Sequence, residues 1–165
     1  MPASRHAIFI SYRRRDSIYA ADRLDERLKQ AFGADAVFRD VRSIRKGQSF
    51  PDDTRASLQE AALGLVVIGP WWLEAGVDRK DGAGQPRLHE PSDWVRIEVE
   101  TLLLRTLPSG EPRSTSSGQV IPVIPMFIGG AEMPKADDLP DPLKSLPDPG
   151  CHLRKHEDGH RKAGI

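Results

Sequence analysis

Three short apolar runs, Ala7 to Ile10, Leu63 to Ile68 and Val120 to Ile128, constrain the fold of this chain more than any other feature, because each is continuous rather than alternating. A strand with one face in water alternates apolar and polar residues, whereas a continuous run suits a strand covered on both faces, as in parallel sheets. Between the first two runs, Asp16 to Phe32 carries Ala21, Leu24, Leu28 and Ala31 at helical spacing, with Asp16 or Ser17 able to cap its start and Gly33 able to end it. A short strand, Ala36 to Phe38, then precedes the polar loop Arg39 to Gln48, after which Ser49 caps a helix with Pro51, Asp52 and Asp53 in its first turn. The strongest later helix is Asp93 to Thr106, with Ser92 or Asp93 as cap and Val95, Val99, Leu102 and Leu103 forming one apolar stripe. Strands and helices alternating at these lengths predict an α/β fold: an open parallel β-sheet flanked by helices on both faces, whose ligands sit outside the carboxyl ends of the strands.

The third run contains Pro122 and Pro125, neither of which can donate a ladder hydrogen bond, so an edge position or a bulge is expected there. From Gly129 onward the chain is rich in proline and charge, and only a short helix near Asp141 to Leu146 and a strand at Cys151 to Arg154 are read from it. No internal repeat is present, and Ser114 to Gly118 reads as a flexible surface loop.

With 165 residues and 38% hydrophobic content, the chain can bury one core, not two. Lys plus Arg and Asp plus Glu both number 24, so no global field draws the chain to nucleic acid or to an anionic membrane, and neither is expected as a partner. A single cysteine, Cys151, cannot close an internal disulfide, and no apolar run approaches membrane-spanning length; a cytoplasmic protein is the expectation. Cys151, His152, His156 and His160 have a spacing open to a metal reading, but Gly159 and the charged surroundings argue against a rigid site, so no metal is expected. In the tandem Trp71-Trp72, one ring is expected in the core and the other at the surface or an interface.

Three stretches in order carry a family resemblance. Phe9-Ile10-Ser11-Tyr12-Arg13-Arg14-Arg15-Asp16 resembles the first box of TIR (Toll/interleukin receptor) domains, a buried strand ending in Ser-Tyr before a charged turn. Val37-Phe38-Arg39-Asp40 with Ile44, Gly47 and Phe50 resembles the family's second strand and the long loop that follows it. Trp94-Val95-Arg96-Ile97-Glu98 resembles the tryptophan-x-x-x-glutamate pattern of bacterial, NAD-cleaving TIR domains, and Val120 to Phe127 resembles the next core strand. The resemblance implies a flavodoxin-like TIR fold over residues 1–154, with 155–165 a tail or the start of a linker to a missing domain, since family members continue there into a final helix and Lys155 to Ile165 has almost no apolar residues.

It also implies chemistry: cleavage of the nicotinamide-ribose bond of NAD+, giving nicotinamide and ADP-ribose or a cyclic ADP-ribose isomer, which in bacterial relatives serves anti-phage defence signalling. NAD+ would be substrate rather than cofactor, and no other cofactor is implied. Nicotinamide is already a cationic leaving group, so the need is for a fixed carboxylate to stabilise oxocarbenium character on the ribose, and Glu98 is the expected catalytic residue. Trp94 lies one helical turn earlier on the same face, where it can stack on a ring. By resemblance, Ser11, Tyr12, Arg13, Asp40 and Phe50 join Trp94 in binding substrate, Arg13 lying where a guanidinium and a helix N-terminus suit a pyrophosphate.

An arbitrary Trp-x-x-x-Glu is more often a core anchor beside a solvated glutamate; the two other matched stretches reverse that preference. The expected partners are NAD+, other TIR domains by self-association, and a fused or separate sensor or effector domain. The alternative of another class is a non-catalytic adaptor working through TIR-TIR contacts, with Arg39 to Phe50 as its surface. A receiver-like phospho-acceptor domain is disfavoured, because Asp16 and Asp40 do not form the acidic cluster it needs.

Overall fold

The computed structural model of the chain describes residues 7–39, 52–73, 86–106 and 121–147. They form four strands, β1 (Ile8–Tyr12), β2 (Val37–Arg39), β3 (Leu63–Ile68) and β4 (Val123–Phe127), and three α-helices, α1 (Arg14–Phe32), α2 (Asp52–Glu60) and α3 (Trp94–Thr106). The strands lie in the order β2-β1-β3-β4, every pair parallel. This is the open α/β sheet expected from the apolar runs, and its order reverses between β1 and β3, where doubly wound sheets leave a crevice at their carboxyl ends.

Alternation along β1 decides which helix meets which side chain. Ile8, Ile10 and Tyr12 face α1, packing with Ala21 and with Leu65 and Val67 of β3. Phe9 faces the other way, into a core shared with Val66, Ile68, α2 through Leu58, and the α3 stripe Val95, Val99, Leu102 and Leu103, all buried as expected. Helices thus cover both faces of the sheet. The approach of α3 is close: a Cβ added at Gly64 of β3 would stand 2.9 Å from the buried Leu102 side chain.

Several boundaries differ from the sequence expectation, each for a local reason. The first helix starts at Arg14, with Arg13 as its N-cap and no side-chain cap bond; neither Asp16 nor Ser17 caps it. Ser17 instead takes a non-helical conformation (φ −135°, ψ 20°), and its hydroxyl donates to the Arg13 carbonyl at 3.2 Å. Gly33 ends the helix as expected, at φ 97°, a conformation that favours glycine. Ala36 belongs to a 3-10 turn and the second strand is displaced by one residue, to Val37–Arg39. The expected helix near Asp141 to Leu146 is a single 3-10 turn, Asp141–Leu143, opened by Asp141-Pro142.

The conflict posed by the prolines in the third run resolves at an edge. Among the described residues β4 pairs only with β3, and Ile128 N–H donates to the Ile68 carbonyl at 3.0 Å. Two-residue alternation then turns the Pro125 nitrogen to the open side, while Pro122, just before the strand, offers only its carbonyl, which accepts from Gly64 N–H at 3.0 Å. Ser49, Pro51, Cys151 to Arg154, the histidines near the end and the Ser114 to Gly118 patch lie outside the described residues. No described helix is long and apolar enough to cross a membrane, and no described cluster of His, Cys, Asp and Glu could hold a metal ion.

Candidate functional site

Ser11 is two residues beyond Phe9, so the pleat of β1 turns it toward α3 at the strand's carboxyl end. On α3, Glu98 is three residues after Val95 and four before Leu102, which sets it within the buried apolar stripe rather than on the wet face. A carboxylate there has to be hydrogen-bonded, because burying an ionised group without partners is costly. It is: Ser11 Oγ donates to Glu98 Oε2 at 2.7 Å, across 87 residues of sequence, and Glu98 is 6% exposed. Trp94, one turn earlier, is also buried yet belongs to neither of the two core clusters.

The residue after β1 adds a second link to the same helix. Arg13 is 4% exposed, and its guanidinium meets Asp93 fork to fork, Nη1 to Oδ1 at 3.0 Å and Nη2 to Oδ2 at 2.8 Å. Its Nε donates to the Trp72 carbonyl at 2.7 Å. The arginine that the sequence offers to a pyrophosphate is therefore committed, in this structure, to a carboxylate and a carbonyl, while Arg14 and Arg15 face outward.

Asp93 does more than cap α3. Its Oδ2 accepts from Arg96 N–H at 3.2 Å, the expected cap bond, but Oδ1 also takes Arg87 Nε at 3.1 Å, so one carboxylate, 2% exposed, holds two guanidiniums. Sequence reading offered Ser92 or Asp93 as the cap and missed the ion pairs, for which the local sequence carries no signal.

The carboxyl ends of β1 and β3 are tied by Asp16. Its Oδ1 accepts from Trp71 N–H at 3.0 Å, and its carboxylate lies so near Gly69 that a Cβ there would stand 2.4 Å from Oδ2. The tandem tryptophans divide as expected, Trp72 at 1% exposure in the core and Trp71 at 64% on the surface. Tyr12 is buried on the α1 side of the sheet, with the Arg39 guanidinium 5.5 Å from its ring centre. Of the seven expected site residues, Ser11, Glu98, Arg13 and Trp94 thus come together at the β1 end against the start of α3, Tyr12 faces the opposite layer, and Asp40 and Phe50 lie outside the described residues.

Comparison with known proteins gives two findings. The family model described as TIR domain matches residues 8–144. Among solved structures, the chain is similar to the TIR domains of the activated Roq1 resistosome directly recognizing the pathogen effector XopQ, with 15% identity, a TM-score of 0.47, and coverage of 92% of this chain and 70% of that one. No curated protein matches the chain.

Proposed function

This chain belongs to the TIR domain family, and on that premise we propose that it cleaves NAD+ at the nicotinamide-ribose bond, with Glu98 as the catalytic carboxylate. The observation that carries the reading is the buried Glu98 carboxylate, held by the Ser11 hydroxyl at 2.7 Å at the carboxyl end of β1, one turn from Trp94. Loss of nicotinamide needs no strong acid; it needs negative charge beside the ribose as positive charge develops there. At about 4 Å and an effective dielectric constant of about 20, a carboxylate stabilises a unit positive charge by about 4 kcal/mol, on the order of a 10³-fold rate effect. Fixing that carboxylate in advance avoids reorganisation during the reaction.

In this reading Ser11 holds the carboxylate, Trp94 stacks on a ring of the substrate, and Asp40 and Phe50 complete the binding surface, while Tyr12, which faces the other layer, supports the strand and Arg13 holds Asp93. Self-association of TIR units raises activity, and the product is ADP-ribose or a cyclic isomer of it. A cytoplasmic role in anti-phage signalling is part of the same proposal.

The test is nicotinamide release by concentrated protein incubated with NAD+. Glu98→Ala is expected to reduce turnover by at least about 10²-fold. Equal release by wild type and Glu98→Ala would overturn the mechanism. If neither protein releases nicotinamide, even when crowded or forced to oligomerise, the adaptor reading takes its place.

A further inference from the structure

The proposed chemistry uses Glu98 but gives no role to the other buried carboxylate of α3, Asp93. Its carboxylate accepts four hydrogen bonds, two from Arg13, one from Arg87 Nε and one from Arg96 N–H, and it is 2% exposed. A helix cap needs only the last of these. The ion pair with Arg13 crosses 80 residues of sequence, and Arg13 is anchored in turn at the Trp72 carbonyl.

The spacing of the two cross-links is informative. Ser11 to Arg13 is two residues at the end of β1, on the order of 6.6 Å of extended chain. Asp93 to Glu98 is five residues at the start of α3, on the order of 7.5 Å of helical rise. Ser11 meets Glu98, and Arg13 meets Asp93, so the strand and helix run in opposite directions and share two rungs of nearly equal spacing. The buried stripe from Val95 to Leu103 seats the body of the helix, but a single rung would leave its first turn free to shift about the Ser11 contact. A second rung, bidentate and shielded from water, fixes both the rotation and the axial position of the helix.

We propose that Asp93, acting through Arg13, is a positioning residue that sets where the Glu98 carboxylate stands against Ser11. The proposal deepens the reading of Glu98 as the reacting group and rests on it for its consequence in catalysis, while its geometric content is measurable without turnover. Asp93 has no contact with substrate in this account. Its effect travels through the first turn of α3, and Arg87, partly exposed, adds a second guanidinium at Oδ1.

The experiment compares full-length wild type, Asp93→Asn and Arg13→Lys. Asparagine caps a helix as well as aspartate does, so Asp93→Asn removes the charge and leaves the cap. Lysine keeps a positive charge beside Asp93 but cannot span both oxygens and the Trp72 carbonyl. Crystal structures are expected to show Ser11 Oγ and Glu98 Oε2 beyond hydrogen-bonding distance, more than about 3.5 Å apart, in both variants. In nicotinamide-release assays below the unfolding temperature of each variant, kcat is expected to fall about 10²-fold for Asp93→Asn, as for a reacting group misplaced by about 1 Å, with KM changed less than about 2-fold.

Variants that fold and keep the Ser11–Glu98 bond overturn the proposal, as do variants with wild-type kcat. Failure of both variants to fold assigns the network to stability and overturns it too. If Asp93→Asn alone fails to fold, Arg13→Lys decides. A wild type without nicotinamide release ends the reading of Glu98 as catalytic, and the variant structures still decide whether Asp93 sets its position.

Discussion

Two adjacent strand ends solve the same problem differently. Arg13 follows β1 and Arg39 ends β2, and each pairs with carboxylates from a helix. At the β1 end the pairing is closed: Arg13 faces Asp93 fork to fork and reaches the Trp72 carbonyl. At the β2 end, Arg39 Nη1 meets Asp22 and the guanidinium lies near the Tyr12 ring, but Arg39 Nε stands 3.7 Å from Asp25 Oδ2. Both Arg39 Nε and Asp25 Oδ1 are buried without a hydrogen-bond partner, whereas near the β1 end the unpaired buried atoms, Asp16 Oδ2 and Trp72 Nε1, lie outside the Arg13–Asp93 pair. A closed network holds one geometry, whereas a pair with unmet donors and acceptors has neighbouring arrangements of similar energy. The Arg13–Asp93 pair is therefore the fixed link of the candidate site, and the Arg39–Asp25 pair is the looser one.

The comparison breaks most visibly in stability. Asp93→Leu leaves two guanidiniums facing each other around a lost carboxylate and is expected to cost about 3 to 5 kcal/mol in urea unfolding. Asp25→Leu removes the Lys29 contact at 2.9 Å and the long-range one to Arg39 but leaves Asp22 in place, so a cost of about 1 to 2 kcal/mol is expected. Equal losses would mean that the two strand ends are not different in kind. The double variant Arg13→Met/Asp93→Leu is expected to regain about 1 to 3 kcal/mol over Asp93→Leu, because the larger part of the single loss is an unpaired buried charge. No recovery would point to packing rather than charge.

Smaller effects sharpen the same contrast. Gly69→Ala forces the Asp16 carboxylate off its place and breaks its bond to Trp71 N–H, with an expected cost of about 1 to 3 kcal/mol at the β1–β3 crevice. Trp71→Ala, which removes a ring that is mostly in solvent, should change unfolding free energy by less than about 0.5 kcal/mol. A larger loss would place that ring in the folded core.

Local chemistry made part of this legible. The run Leu63 to Ile68 is β3 residue for residue, Gly33 ends α1, and the stripe from Val95 to Leu103 is buried. These depend on period, backbone freedom and burial, which are short-range properties of sequence. Asp16 shows where that reading stops. It stands where a cap would, but its carboxylate is drawn to Trp71, 55 residues away, because β1 and β3 are neighbours in the sheet. The Arg13–Asp93 pair is hidden for the same reason: nothing local distinguishes an arginine that will meet phosphate from one that will meet a carboxylate on a distant helix. Glu98 was found as a residue, through its company in sequence, while its partner Ser11 became a partner only once strand order and pleat were known.

The Ser11 hydroxyl has one proton, and it is donated in the hydrogen bond to Glu98 Oε2. Ser11 is fully buried, so that hydroxyl serves the carboxylate and not the solvent. The bond at 2.7 Å thus makes the last α3-facing side chain of the strand a fixed support for a carboxylate that the sheet itself does not carry.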